Sequence, residues 1–459
     1  MAKRNPAYFS EIGVKGVSIS NGFVQEEYLT KLSGDRGRRA YRQMRDNDST
    51  IGGILFIMEM LFRAATWTVS SDETGPQAED DIEFLESVLF KDMDHSWGDV
   101  VMQAASMLQY GWQLSEVTYK RRMGPHQTNP ARRSLYSDGK IGIRRISERA
   151  QETLHHWEID PRSGDVLGMW QQPPYSGNLY YIPMDKALLF RPHLFKGSPE
   201  GRSILRNAYR PWYLLNNLQE VEAIACEREL TGMPVVKIPG EYLNSSDATV
   251  VAKVAEFKKL VRDMKFNHQA GVVLPSDPYY DSEGKPTGVS KVSLELLSTK
   301  GSRVIDIDKA IRRYESNIAR TMAADFILLG QSDRGSFALS RSKIDLFAWS
   351  LEGWLRSIAE VVNRHLVPKL WQANGMDPQK APYIVPGRVA PEDLTELGNY
   401  IESLSRAGIM VHDGQTEDHL RRSGGLPEAP VGEDRPSTMP VEEPPAEETE
   451  EDADPNRDS

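Results

Sequence analysis

Residues 301–370 read GSRVIDIDKA IRRYESNIAR TMAADFILLG QSDRGSFALS RSKIDLFAWS LEGWLRSIAE VVNRHLVPKL, and this stretch decides the fold. Val304, Ile307, Ile311, Ile318 and Met322 recur at helical spacing. The pattern stops at Gly330-Gln331-Ser332-Asp333-Arg334-Gly335-Ser336, and a second helical run, rich in Trp and Leu, is predicted over 338–371. A short polar loop between two long helices is a lid in a compact enzyme. In a ring-shaped assembly it is a loop projecting into a central hole.

Upstream, a helix is predicted over 245–264, capped by Ser245 or Ser246, with Val250, Val254, Phe257 and Val261 on one face. At 1.5 Å per residue it spans roughly 30 Å. Residues 271–297 read as a compact β insertion. Its strands are 272–274 and 289–296, and its turns are Pro275-Ser276-Asp277-Pro278 and Asp281-Ser282-Glu283-Gly284-Lys285-Pro286. One helix therefore leads into a small β unit, and the helix at 301 leads back out.

Further upstream, a long helix follows Gly201 and ends at Thr231-Gly232, where Pro234 prevents its continuation into the strand 234–238. Residues 112–190 read as one antiparallel meander, punctuated by Ser137-Asp138-Gly139, Asp160-Pro161-Arg162-Ser163-Gly164 and Pro174-Tyr175-Ser176-Gly177-Asn178. Before it come a helix at 36–45 and a second one capped by Asp48 or Ser49, with Ile51, Leu55, Met58 and Phe62 at helical spacing. A strand at 66–69 and helices at 78–89 and 97–109 follow. Residues 391–424 predict two short helices broken at Ala407-Gly408.

The chain has 459 residues, enough for two to four domains. No stretch reaches the ~18 apolar residues of a membrane span, and the first residues lack the apolar segment of a signal peptide. The single cysteine, Cys226, excludes an intramolecular disulfide and a Cys-built zinc site, fits a reducing cytosol, and reads as a small buried hydrophobe. Net charge is −11, but residues 426–459 carry twelve acids and two arginines, a net of −10, which leaves −1 for residues 1–425. The body is nearly neutral, without the electrostatic footprint of a tight nucleic-acid binder. Arg36-Gly37-Arg38-Arg39 and Lys120-Arg121-Arg122 are local basic patches that read as solvated element ends. The acidic, Pro-rich tail cannot bury enough apolar area to fold.

Catalytic constellations are weak. The phosphate loop, the Gly-x-Ser-x-Gly elbow and His-Glu-x-x-His are absent from the sequence. Ser340-Arg341-Ser342-Lys343 matches Ser-x-x-Lys, but its companion motifs are missing, and Ser340 reads as a helix cap. His155-His156, with Glu158 and Asp160, suggests a metal site. Neighbours on a strand point to opposite faces, which argues against a shared ion. Asp306 and Asp308 diverge on their helix, and Asp308 is spaced to pair with Arg312. Trp349, Trp354 and Trp371 read as core or subunit interface. No catalytic residue, cofactor or metal is assigned, and an assembly component is the expected class.

In the order of its elements the chain resembles the portal proteins of tailed bacteriophages, particularly the Mu-like branch, over residues 35–425. The resemblance is carried by Tyr41-Arg42-Gln43-Met44-Arg45-Asp46-Asn47-Asp48 with the following 51–69, and by Gln109-Tyr110-Gly111-Trp112 with Glu116-Val117. Gly197-Ser198-Pro199-Glu200-Gly201-Arg202-Ser203 and the helix, break, helix of 301–370 complete it. It implies an α+β portal fold that assembles as a dodecameric ring at one capsid vertex. The implied parts are an N-terminal arm (1–34), an α/β wing (35–244), an incoming stem helix (245–264), a clip (265–300) and an outgoing stem helix (301–329). A tunnel loop (330–340), a long wing or tunnel helix (341–390), a helical crown (391–425) and a disordered acidic tail (426–459) follow.

The resemblance also implies double-stranded DNA passing through without sequence specificity during packaging and ejection. The clip, with Asp277, Tyr279, Tyr280, Asp281, Glu283 and Lys285, would dock the terminase large subunit and later head-completion or adaptor proteins. Gln331, Ser332, Asp333, Arg334, Gly335 and Ser336 would line the channel at the tunnel loop. Major capsid and scaffolding proteins are further implied partners. The implied location is the virion, after synthesis in the host cytoplasm, with no membrane contact. A near-neutral body agrees, because each neutralised phosphate adds salt-sensitive affinity that acts as friction on moving DNA. The alternatives are a minor head or baseplate component without a channel, and a hydrolase using Ser340 and Lys343.

Overall fold

The computed structural model describes residues 13–231, 233–265, 274–297, 307–331, 337–389, 394–407 and 421. The chain divides into two compact units, Met1–Val389 and Ala390–Ser459. The first begins with a hairpin of β1 (Ile19–Ser20) and β2 (Phe23–Val24). Its turn is Asn21-Gly22, both at positive φ (50° and 78°), the backbone that a two-residue hairpin with right-handed twist requires.

Helices α1 (Gly34–Asn47) and α2 (Ser49–Ala64) follow. The Asp48 carboxylate accepts from the Ile51 amide at 2.8 Å, the cap expected from sequence. Ile51, Ile54, Leu55, Met58 and Phe62 form the buried stripe of α2. After β3 (Trp67–Ser70), α3 (Pro76–Glu86) runs into a π-helical turn, Ser87–Lys91, and α4 (Trp97–Tyr110) opens on a capping box between Ser96 and Asp99.

The 112–190 region is two three-stranded antiparallel sheets instead of the single meander expected. Strands β4 (Gln113–Arg121) and β5 (Ile141–Arg149) form a hairpin; β6 (Leu154–Ile159), β7 (Val166–Gln171) and β8 (Tyr180–Pro183) form the second sheet; β9 (Ala187–Phe190) returns to the free edge of β4. Local turn signals specify hairpins, but they do not say which strand closes an edge. The second sheet has its own small core of Trp112, Leu114, Leu154, Trp157, Met169, Ile182 and Ala187.

Helix α5 (Tyr209–Thr231) starts later than expected, after a 3-10 turn at Ile204–Arg206. Then come β10 (Met233–Lys237), α6 (Gly240–Leu243), α7 (Ala248–Lys265), β11 (Pro278–Tyr280), β12 (Pro286–Ser290) and β13 (Ser293–Leu297). The cap of α7 is Asp247, whose carboxylate accepts from the Thr249 amide at 2.8 Å, one to two residues beyond the serines expected. Val254 is buried, and Val250, Phe257 and Val261 are half-buried on the predicted face.

The unit continues with α8 (Ile307–Thr321), a 3-10 segment (Asp325–Gln331), α9 (Phe337–His365), α10 (Val367–Ala373) and β14 (Tyr383–Pro386). The helix expected over 338–371 is thus broken at Leu366, because Pro368 has no amide to donate back to the preceding turn. Strand β14 pairs with β3 more than 300 residues away in sequence (Tyr383↔Ser70, Pro386↔Trp67), a closure no local pattern announces. The main core joins α1–α4, β4, β5, α5 and α8–α10; Trp371 is buried against Phe84, with ring centroids 5.5 Å apart. The second unit contains α11 (Leu394–Arg406). The expected break at Ala407-Gly408 and the helix and tail beyond it lie outside the described residues, save Ala407 and Arg421.

Two of the sequence segments that carry the family resemblance meet at the end of α4. Gly111 terminates the helix at φ 89°, its amide donating to the Met107 carbonyl at 2.7 Å. The Ser203 hydroxyl donates to the Gln109 carbonyl at 2.5 Å, one of the acceptors a helix end leaves open. Gly201 packs so tightly that a Cβ there would lie 2.3 Å from the Gly111 carbonyl oxygen. The Gly-rich segment before α5 is therefore a cap laid over α4.

Candidate functional site

The excursion from β10 to β13 is closed at its base. Those two strands pair antiparallel from Met233↔Leu297 to Lys237↔Ser293, and Lys237 bridges Glu295 at 2.6 Å. Its outer part is the β11–β12 hairpin, in which Pro278 pairs with Ser290 and Tyr280 with Pro286 across a register shift. The expected strand 289–296 is divided between the hairpin and β13. Leu274 is not in a strand, and 272–273 lie outside the described residues.

The hairpin turn is organised by Asp281. Its carboxylate accepts from the Glu283 and Lys285 amides at 2.9 and 2.8 Å, and Gly284 supplies the positive φ of 74°. Asp281 is thus a shaping residue, and the Asp277 carbonyl accepts from the Lys291 amide at 2.7 Å. The exposed surface of the hairpin carries Tyr279, Tyr280 and the solvated Glu283–Lys285 pair at 3.1 Å. Sequence reasoning missed Val289, 63% exposed, and Lys291, whose ammonium lies 6.0 Å from the Tyr280 ring. The alternation of Val289 with polar neighbours was the available signal.

At the second candidate segment, α8 packs along α5, Ile318 and Ala319 are buried on it, and Ala323 at φ 55° follows its end. Loop residues Ser332, Asp333, Arg334, Gly335 and Ser336 lie outside the described residues, and Gln331 closes the 3-10 segment. The two roots of the loop are clamped together. Asp325 pairs with Lys343 at 2.7 Å, and Phe326 meets the buried Phe347 edge-on at 5.2 Å. Lys343 is therefore an ion-pair partner across the loop. Ser340 falls inside α9, which begins at Phe337, so it is not the cap expected; its side chain, like that of Cys226, lies outside the described residues.

The basic patches resolve differently from their sequence appearance. Lys120 and Arg122 are buried around Asp92, leaving Arg121 exposed, and Arg38 pairs with Asp35 at 2.7 Å. Asp308 and Arg312 make the expected pair at 3.0 Å. Trp371 is core and Trp354 packs on it, whereas Trp349 is 65% exposed on α9. The two histidines do not diverge. A bulge between Leu154 and His156 brings the Nδ1 atoms of His155 and His156 to 2.6 Å. Among the described residues no group of three or more His, Cys, Asp or Glu side chains is arranged to hold a metal, and no helix is long and apolar enough to cross a membrane.

The chain thus has a helix leading into a closed β excursion, a helix leading out of it, and an ion pair and a ring contact joining the 3-10 segment to the long helix α9. Residues 38–426 match the family described as the portal protein of Mu bacteriophage, and the chain belongs to that family. No curated protein matches the sequence. Among solved structures the chain is similar to one in the virion of a native gene transfer agent particle, at 11% identity and TM-score 0.49, covering 85% of this chain and 94% of that one. It is also similar to a chain in the neck of the native particle computed with C12 symmetry, at 12% identity and TM-score 0.46 with the same coverage.

Proposed function

We propose that the protein is the portal subunit of a tailed-phage particle. It forms a dodecameric ring at one capsid vertex, through which double-stranded DNA is packaged and later ejected. The observation that carries this reading is the family match over 38–426. The α7, hairpin, α8 order supports the assignment of stem and clip. In this reading the hairpin tip, with Tyr279, Tyr280, Glu283 and Lys285, docks the terminase large subunit during packaging and head-completion proteins afterwards. The segment 332–336 is assigned to the channel as the tunnel loop, and the Asp325–Lys343 and Phe326–Phe347 contacts join the residues on either side of it. The near-neutral body keeps the conduit from gripping phosphates.

Negative-stain images of the purified full chain test the proposal. Rings with a central hole as wide as duplex DNA are expected, and monomers or solid particles under all conditions would sink it. Deleting residues 332–336 should leave rings intact, because the Asp325–Lys343 and Phe326–Phe347 contacts lie outside the deletion. The same deletion should reduce the DNA retained per head, measured as nuclease-protected DNA. Normal retention would count against the tunnel-loop assignment.

A further inference from the structure

The β1–β2 hairpin is seated directly on the histidine pair of β6. The Gly22 carbonyl accepts from the Trp157 amide at 2.9 Å. Gly22 approaches so closely that a Cβ would fall 2.3 Å from the Trp157 carbonyl oxygen and 2.9 Å from His156 Cδ2. The next residue, Phe23, places its ring 6.2 Å from each imidazole. His156 is held by stacking on Trp170 at 5.8 Å and 15°.

A 2.6 Å Nδ1···Nδ1 contact holds one proton between two nitrogens. In the neutral pair, and in the pair with one charge, one Nδ1–H donates to the other ring's lone pair. With both rings charged, each Nδ1 carries hydrogen, the bond is lost, and two cations face each other beneath the hairpin. We propose that His155 and His156 form a proton-sensitive latch that seats the hairpin when they carry at most one charge between them and releases it when both are charged.

The surrounding charges are already engaged. Glu158, on the same strand, accepts from Trp170 Nε1 at 2.9 Å. Around the cleft between hairpin and strand, Asp35 pairs with Arg38 at 2.7 Å, Glu152 with Arg42 at 3.3 Å, and Glu200 accepts from Trp157 Nε1 at 3.1 Å. On the chain flanking the hairpin, Lys15 pairs with Asp165 at 2.5 Å, Glu26 with Lys196 at 2.8 Å, and Glu27 with Arg206 at 2.5 Å. Burial, then the charge of His155, hold His156 below the ordinary histidine range, against a smaller opposing pull from Glu158. The released form therefore binds the second proton first. Seating is at full strength above the ordinary histidine pKa and weakens as pH falls from there through the depressed value. One proton makes the opening equilibrium grow about tenfold per pH unit across that window.

Hydrogen exchange on the full chain, from about pH 7.5 to about pH 5 and corrected for intrinsic rates, tests this. Peptides covering 18–25 and 154–159 should lose protection with that slope, while peptides from α4 should not. His155→Gln should narrow the pH window over which protection is lost, because His156 can then charge without facing a second imidazole and only its burial still opposes the proton. His156→Gln is read the same way if His155→Gln fails to fold. A hairpin whose protection is independent of pH in the unsubstituted chain overturns the proposal, as does an unchanged window in a folded variant.

Discussion

Asp92→Ala should lower the free energy of unfolding by about 3–5 kcal/mol, read by chemical denaturation, because it leaves the buried Lys120 ammonium without its acid. Asp92 sits just past the π-helical turn and is 3% exposed. Its carboxylate lies 3.1 Å from the Lys120 ammonium, accepts from the Ser134 hydroxyl at 2.7 Å and from the Leu135 amide at 2.9 Å. Arg122 Nε is 3.9 Å away, beyond hydrogen-bonding range. The Arg122 guanidinium is held instead by Ser87 at 2.9 Å, Asp138 at 3.2 Å and the Tyr136 ring at 4.0 Å. The carboxylate thus pins the long connection between β4 and β5 to the end of the π-helical turn after α3. Arg121→Ala, on the exposed residue between the two cations, should change stability by about 0.5 kcal/mol at most. Equal effects of the two substitutions would refute the assignment.

Gly111→Ala should cost roughly 2–5 kcal/mol, combining strain at a left-handed position with overpacking. A Cβ at Gly111 would lie 2.8 Å from the Ser203 amide nitrogen and 3.0 Å from the Arg202 carbonyl carbon, both backbone atoms that a side-chain rotation cannot relieve. Gly139→Ala is the control. It too has positive φ, 74°, but nothing lies within 4 Å of its Cβ, so strain alone should remain, about 1–3 kcal/mol. If both substitutions cost the same, the packing of 201–203 on α4 contributes nothing.

Much of the chain was legible because its signals are local. Asp48 caps α2, the apolar stripes of α2 and α7 face inward, and the Asp281 turn with Gly284 forms where composition places it. Other readings failed because local rules met a distant partner or a backbone irregularity. The alternation rule sent His155 and His156 to opposite faces, and a single bulge reversed it. The Lys120 and Arg122 patch looked solvated because Asp92 is 28 residues from Lys120 in sequence. Of the candidate site, the Glu283–Lys285 pair was readable as part of the turn 281–286, whereas β11, which carries the exposed tyrosines, was not among the expected strands. Val289 was missed because 289–296 was read as one strand, whereas β12 ends at Ser290 and β13 begins at Ser293.

By itself the sequence determined the helices, the hairpin turns, the neutral body with its acidic tail, and the order of elements that marks the family. Each of these depends on spacing and composition within a few residues. Only the tertiary structure decided that β14 closes on β3, that β9 returns to β4, that the segment 201–203 caps α4, and that Lys343 clamps the roots of the loop at 332–336. Those contacts join residues from 18 to more than 300 positions apart, where steric fit and the pairing of buried polar groups, not local periodicity, select the partner. The stretch at 301–370 names the architecture, and the contacts around it hold that architecture in place.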